Sequence, residues 1–402
     1  MKSGLGTMAP TDNILRFPNA AQSEQIGRLL IPDRLSEARL ASRITQTELA
    51  EKVGVSRQAI SVYESGDKKP DPAVMARIAD VLKQPIAFFT KEKRGDFGKH
   101  SANFFRKTGA DTKRRNQACE VYATWLSSVA HAFDNIANYP AVDIPSFEPC
   151  GSAYSDDEIE EYAERVRQHF GLGLGPISNV LRLLESKGVI IARCRIDGEN
   201  IEAFSFWSGP RPFVFLASVK ESAARARFDA AHELAHLCLH RWVGAEEIED
   251  KLRLKEIEHE ADRFAGAFLL PRKSFPNEVY SPRAESFVDL KARWKVSIQA
   301  MVYRAKDLGL FDDRQVTNIY KQISFKKWRT TEPLDKGTKA IPFEEPLLLK
   351  RVTELVLQSG RYSVDSFKSD VALSDQDLER LTGYPFGDSS EDADTDFEPT
   401  LK

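Results

Sequence analysis

The stretch Arg225-Ala-Arg-Phe-Asp-Ala-Ala-His-Glu-Leu-Ala-His-Leu-Cys-Leu-His240 decides how the larger part of this chain is read. It holds no Gly or Pro, and from Phe228 to Leu239 it is helix-forming and apolar on one face. Residues four apart on a helix share a side, so His232 and His236 can direct both imidazoles at a single ion. Glu233 falls beside them, where a general base is needed. Two imidazoles plus a carboxylate, with a fourth position open, form a ligand set that suits Zn²⁺. His240 drifts off this face; it is expected to end the helix with Arg241, where positive charge meets the C-terminal dipole.

A third ligand is expected from a following helix. Glu256-Ile-Glu-His-Glu-Ala-Asp-Arg-Phe-Ala-Gly-Ala-Phe-Leu-Leu-Pro271 is such a helix, ended by its proline. Two carboxylates compete. Glu258 and Asp262 are four apart and share a face, so Glu258 would bind the metal while Asp262 holds a ligand histidine from behind. Glu260 points about 200° away from Glu258 and is the alternative ligand. His259 lies next to the face and is read as solvated. The expectation is one zinc ion per chain on His232, His236 and Glu258, with Glu233 catalytic.

Upstream, Arg43-Ile-Thr-Gln-Thr-Glu-Leu-Ala-Glu-Lys-Val-Gly-Val-Ser-Arg-Gln-Ala-Ile-Ser-Val-Tyr-Glu-Ser-Gly66 has the order of a helix-turn-helix. Thr45 or Thr47 can cap a first helix whose inner face is Leu49, Ala50 and Val53. Gly54 permits the positive φ of a tight turn. Ser56 then caps a second helix with Ala59, Ile60 and Tyr63 inward. Arg57, Gln58, Ser61 and Val62 are left toward solvent, in the half that enters a major groove in such motifs. Residues 32–90 carry nine basic and eight acidic side chains, so phosphate contacts would have to come from a dimer or from the neighbouring linker.

That linker is strongly basic, with nine Lys or Arg against three Asp or Glu over 91–117. After Gly188 the texture turns β-branched and aromatic (Val189-Ile-Ile-Ala192, Ala203-Phe-Ser-Phe206, Phe213-Val-Phe-Leu216), which predicts a small antiparallel sheet. The expected layout is multidomain. A flexible arm (1–31) leads into an all-α helix-turn-helix module (32–90), followed by a basic linker and helix (91–144). An α+β zincin-like metallopeptidase domain (145–310) comes next, then a mixed C-terminal region without assigned role (311–387) and an acidic tail (388–402).

The 402 residues carry 42% hydrophobic and 10% aromatic side chains, enough for a buried core, which excludes a wholly disordered chain. A net charge of −3 leaves no global argument for nucleic acid or membrane, so any such patch must be local. Neither a signal peptide nor a membrane span is expected. Cys119, Cys150, Cys194 and Cys238 are scattered without a Cys-x-x-Cys pair, which argues against a disulfide scaffold and makes the cytoplasm the expected compartment.

Two resemblances add to this reading. Residues 32–90, including the ending Tyr63, Glu64, Gly66, Lys68 and Pro70, resemble the Xre/Cro-type helix-turn-helix family. That implies double-stranded DNA as a partner, Gln46 and Arg57 on backbone or bases, and Gln58 and Ser61 as base readers; with the capping Ser56 these form the expected DNA-facing set. Paired half-sites would make the module a homodimer. Residues 145–310 resemble the ImmA/IrrE metallopeptidases through Arg225–His240, then Glu258-x-Glu-Ala-Asp262-x-Phe-Ala265, and Leu269-Leu-Pro271. That implies zinc on His232, His236 and an acidic third ligand, Glu233 as general base, and regulated cleavage of a repressor-like protein in a stress, phage or mobile-element response. The rival expectation is a non-proteolytic, sequence-specific repressor or antitoxin-like regulator whose metal domain acts as a sensor or interaction module.

Overall fold

A computed structural model describes residues 29–92, 110–149, 153–194, 203–217 and 222–386. Most of the expected N-terminal arm, residues 93–109 of the basic linker and the acidic tail lie outside the described residues. The chain divides into two compact units, Met1–Glu92 and Lys93–Lys402.

The first unit is all helical: α1 (Pro32–Ala41), α2 (Gln46–Val53), α3 (Arg57–Ser65), α4 (Pro72–Leu82) and α5 (Ile86–Thr90). Thr45 closes a capping box with Glu48 at the start of α2, accepting from the Glu48 amide at 3.1 Å. Gly54 ends α2 at φ +74°, a left-handed conformation that costs glycine nothing. Ser56 caps α3 by accepting from the Ala59 amide at 3.1 Å. Leu49, Ala50, Val53 and Ile60 are buried in the seam between the two helices.

The second unit starts with α6 (Ala110–Ala132), α7 (Asp156–His169) and α8 (Val180–Ser186), followed by β1 (Ile190–Cys194), β2 (Phe204–Ser208) and β3 (Arg211–Ala217). Then come α9 (Ala223–Leu239), α10 (Ala245–Glu249), α11 (Lys251–Leu269), α12 (Ser286–Trp294), α13 (Ile298–Asp307), α14 (Asp313–Phe325), α15 (Leu348–Gln358), α16 (Val364–Val371) and α17 (Asp375–Thr382).

The strand order is β1-β3-β2, and the sheet is mixed rather than wholly antiparallel. The tight Gly209-Pro210 turn makes β2 and β3 an antiparallel pair. β1 instead lies on the far side of β3 and runs parallel to it, with Ile190 opposite Phe213. Gly188, at φ +83°, turns the chain into β1; a Cβ there would sit 2.7 Å from the Ala141 carbonyl oxygen.

Both faces of the sheet are covered. Ile191, Val214 and Leu216 share one core with Ala230, Ala231 and Leu234 of α9 and with Ala261, Phe264 and Phe268 of α11. On the opposite face Phe204 stacks on Phe215, and Phe206 on Phe213, at centroid separations of 5.1 and 5.0 Å. Tyr122 of α6 meets the Phe215 ring edge-on. The same Tyr122 donates to Asp377 of α17 at 3.2 Å, so α6 and the C-terminal helices line this second face together.

The segment between α14 and α15 ties the helices around the site by burying acids on helix starts. Glu332 accepts from the first amides of α13, Ile298 at 2.7 Å and Gln299 at 3.2 Å. Asp335 takes a hydrogen bond from Ser222, the residue that caps α9, at 2.7 Å. Lys291 bridges both acids at 2.9 and 2.7 Å and is fully buried. Glu344 accepts from the Val180 and Leu181 amides of α8 at 2.8 and 3.2 Å and pairs with Arg227 of α9.

Candidate metal centre and nucleic-acid interface

α9 and α11 pack side by side. His232 and His236 lie one turn apart on α9, with side chains almost wholly buried. Their Nε2 atoms are 3.0 Å apart. The Glu258 carboxylate from α11 approaches them at 3.5 Å from His232 and 3.6 Å from His236. One donor atom from each of the three residues lies within 4.8 Å of the others.

The tautomers follow from what stands behind each ring. His232 Nδ1 is 2.8 Å from Asp262 Oδ1; an ionised carboxylate only accepts, so Nδ1 carries the proton and Nε2 offers its lone pair inward. His240 Nε2 lies 2.8 Å from Glu260 Oε2 and must donate to it. A neutral His240 therefore accepts at Nδ1, which makes His236 Nδ1, 2.9 Å away, the donor. His236 Nε2 then also turns a lone pair inward. Two imidazole lone pairs and a carboxylate converging on one point fit a divalent cation such as zinc.

The acid behind His240 is firmly held. Glu260 also accepts from Arg253 at 3.1 Å and from the Tyr154 amide at 3.3 Å. Burial by itself would raise its carboxyl, but hydrogen bonding from His240 and the charge of Arg253 outweigh it and leave the pKa lowered. Burial pushes His240 below the ordinary imidazole value, against the pull of Glu260. The C-terminal cation expected at His240 is therefore a neutral, fully buried ring. His259 is exposed, as expected.

Glu233 is buried, with its Oε2 accepting from Ser205 Oγ of β2 at 2.7 Å. Ser205 pairs with Val214 and so shares the sheet face that meets α9. Sequence reading missed Ser205, His240 as a support for His236, and the Tyr154–Arg253 hold on Glu260. The spacing of four from His236 to His240 was the available signal for one of these; Ser205 carries none in its local sequence.

In the first unit, Ser56, Arg57, Gln58 and Ser61 are exposed together at the start of α3. Gln46 differs: it is half-buried and donates to Glu64 at 2.8 Å, and Arg39 holds the same carboxylate at 2.6 Å. Its amide nitrogen thus serves the contact between α2 and α3.

Comparison with known proteins matches both units. The helix-turn-helix family model covers residues 35–89, and the model described as the IrrE N-terminal-like domain covers residues 184–306. A protein named as the uncharacterized HTH-type transcriptional regulator YqaE of Bacillus subtilis (strain 168) is 27% identical over 62 residues, or 15% of this chain and 53% of that protein. The chain thus spans about half the length of this curated relative. Among the described residues no helix is long and apolar enough to cross a membrane. The chain carries a helix-turn-helix domain followed by an IrrE N-terminal-like, metallopeptidase-like domain.

Proposed function

We propose that this chain is a DNA-binding transcriptional regulator whose second domain is a zinc-dependent endopeptidase acting on a repressor-like protein. The observation that carries the reading is the convergence of His232, His236 and Glu258 on one point, with Glu233 beside them on the same helix. His232, His236 and Glu258 would hold one zinc ion, and Asp262 and His240 would keep the two ligand rings in the tautomer that binds it. When bound, the ion supplies Lewis acidity toward a peptide carbonyl and toward water.

The remaining chemistry belongs to the chain itself. Glu233 takes the proton of the attacking water on its carboxylate and returns it to the departing amine nitrogen. Ser205, donating to Glu233 Oε2, fixes the orientation of that carboxylate. The exposed start of α3 supports double-stranded DNA as the second partner, with Arg57 suited to phosphate or guanine and Gln58 to adenine. DNA binding would bring the peptidase to promoter-bound repressors.

The test is Glu233→Gln in the full-length chain, run against repressor-like proteins encoded beside it. The expected result is lost cleavage with zinc content and DNA binding kept. Cleavage that survives in the variant overturns the mechanism. Zinc binding without cleavage by the wild type would favour a metal-sensing regulator instead.

A further inference from the structure

The stretch Arg314-Gln-Val-Thr-Asn-Ile-Tyr-Lys-Gln-Ile-Ser-Phe-Lys-Lys-Trp-Arg-Thr-Thr331 holds five basic residues and no acidic one, in a chain whose net charge is −3. It takes in α14 from its second residue onward and the turn that follows. α14 buries Val316, Ile319 and Ile323 in the core, so its other face is turned out. Arg314, Asn318, Lys321 and Phe325 recur at helical spacing on that face and are all exposed, with Thr317 beside Asn318. The Phe325 ring is 88% exposed. Lys327 and Arg329 carry the exposed surface past the helix end.

The acids that flank this surface are already engaged. Asp312 caps α14, Asp313 is held by Lys306 at 2.8 Å, and Glu285 by Lys326 at 2.6 Å. Glu332 is buried on the start of α13. Among the described residues, Arg314, Lys321, Lys327 and Arg329 have no carboxylate partner. Arg329 donates to Ser324 Oγ at 2.7 Å, and its carbonyl oxygen accepts from Arg225 at 2.7 Å, which adds another guanidinium at the rim. Cations at a helix C-terminus suit the dipole, and Lys326 and Lys327 need no further reason. The same dipole disfavours Arg314 at the N-terminal end, and it explains neither Lys321 nor the bare ring of Phe325.

The helix-turn-helix region has the converse lack. Residues 32–90 carry nine basic and eight acidic side chains, too even a balance to neutralise many phosphates. We propose that the exposed face of α14 and the turn after it bind the sugar-phosphate backbone of double-stranded DNA, as a second contact beside that of α3. The proposal rests on the DNA-binding reading above. Arg314, Lys321, Lys327 and Arg329 neutralise phosphates, Thr317 and Asn318 donate to phosphate oxygens, and the Phe325 ring lies against the sugar edge or enters the minor groove. A lipid surface fits less well, because a membrane-seeking helix turns its apolar face outward and α14 keeps that face in the core. A single strand calls for several rings to stack successive bases, and this helix face offers one.

The test uses the full-length chain and fluorescence anisotropy over a range of salt. The probes are a long duplex centred on a sequence that the wild type selects from a random pool, a scrambled duplex of equal length and one strand of it; phosphatidylserine vesicles are tested by cosedimentation. The combined variant Lys321→Gln, Lys327→Gln, Arg329→Gln should keep the wild-type melting temperature. It should weaken both duplexes at least about tenfold and lower the salt slope by about three. Phe325→Ser should weaken both duplexes and leave the slope unchanged, because the ring carries no charge. A combined variant with the wild-type slope, or Phe325→Ser with full duplex affinity, overturns the proposal. So does a loss confined to the vesicles or to the single strand. If the wild type binds neither duplex, the DNA-binding reading falls and takes this proposal with it. If Arg57→Ala weakens duplex binding and the combined variant does not, the reading stands and α14 alone is excluded.

Discussion

Glu260 directs its carboxylate to His240, at 2.8 Å from Nε2, while Glu258, two residues earlier on the same helix, faces His232 and His236. Glu258 thus meets both histidines directly, whereas Glu260 reaches only His236, through a buried third ring. Zinc content after dialysis against graded chelator should separate them. His236→Ala and Glu258→Ala are expected to lose the metal. Glu260→Ala should keep about one equivalent and bind it roughly 10- to 100-fold more weakly, because His240 loses the partner that orients it. Loss in Glu260→Ala as complete as in Glu258→Ala would make Glu260 a ligand.

Much of this centre was legible in the sequence, because helical spacing fixes which side chains share a face before any tertiary contact exists. That argument covers His232 with His236 and Glu258 with Asp262. It also placed His240 at the helix end, where it caps α9, but not its role: only the packing of α11 brings Glu260 against it and seals it from water, which spacing along one helix cannot show. Ser205 was hidden for a related reason. In Phe204-Ser205-Phe206 the phenylalanines look like the core side and the serine like the wet side. A sheet covered on both faces has no wet side, so the serine is buried against Glu233. The parallel pairing of β1 with β3 is a non-local choice that strand composition does not encode.

Lys291 is fully buried between Glu332 and Asp335, and through Asp335 it touches the hydroxyl that caps α9. Removing one member of such a cluster strands the others without compensation. Lys291→Met is expected to cost about 3–5 kcal/mol in urea unfolding, with faster amide exchange in the first turn of α9. A loss below about 1 kcal/mol would mean that water reaches the acids.

Glu185 of α8 is buried and accepts from the Leu347 and Leu348 amides at 2.7 Å each, where α15 begins. Burial raises its carboxyl pKa above the ordinary value, and these amides only partly oppose the shift. In the interval between the unfolded and the raised folded value the folded chain binds more protons than the unfolded one. Stability contributed by this group is therefore full at low pH and declines as pH rises through that interval. Glu185→Gln keeps an acceptor for the two amides and removes the titration. The wild-type minus variant difference in unfolding free energy should fall with pH from about 4 upward and then level off; a difference that rises with pH would contradict the assignment.

Arg57 and Gln58 stand exposed side by side at the start of α3, yet they should report on different parts of DNA recognition. A guanidinium on phosphate acts through charge, whereas a side-chain amide on a base edge acts through its paired donor and acceptor. With duplexes selected by the wild type from a random pool, Arg57→Ala is expected to weaken selected and scrambled sequences alike and to reduce the salt slope by about one. Gln58→Ala should cost about 1–3 kcal/mol on the selected sequence and little on the scrambled one. Gln46→Ala should act differently from both. Its amide serves Glu64, so its loss should lower the melting temperature of the helix-turn-helix as well as DNA affinity. Equal losses on both duplexes for Gln58→Ala would remove it from base reading and leave the specificity to Ser61 and its neighbours.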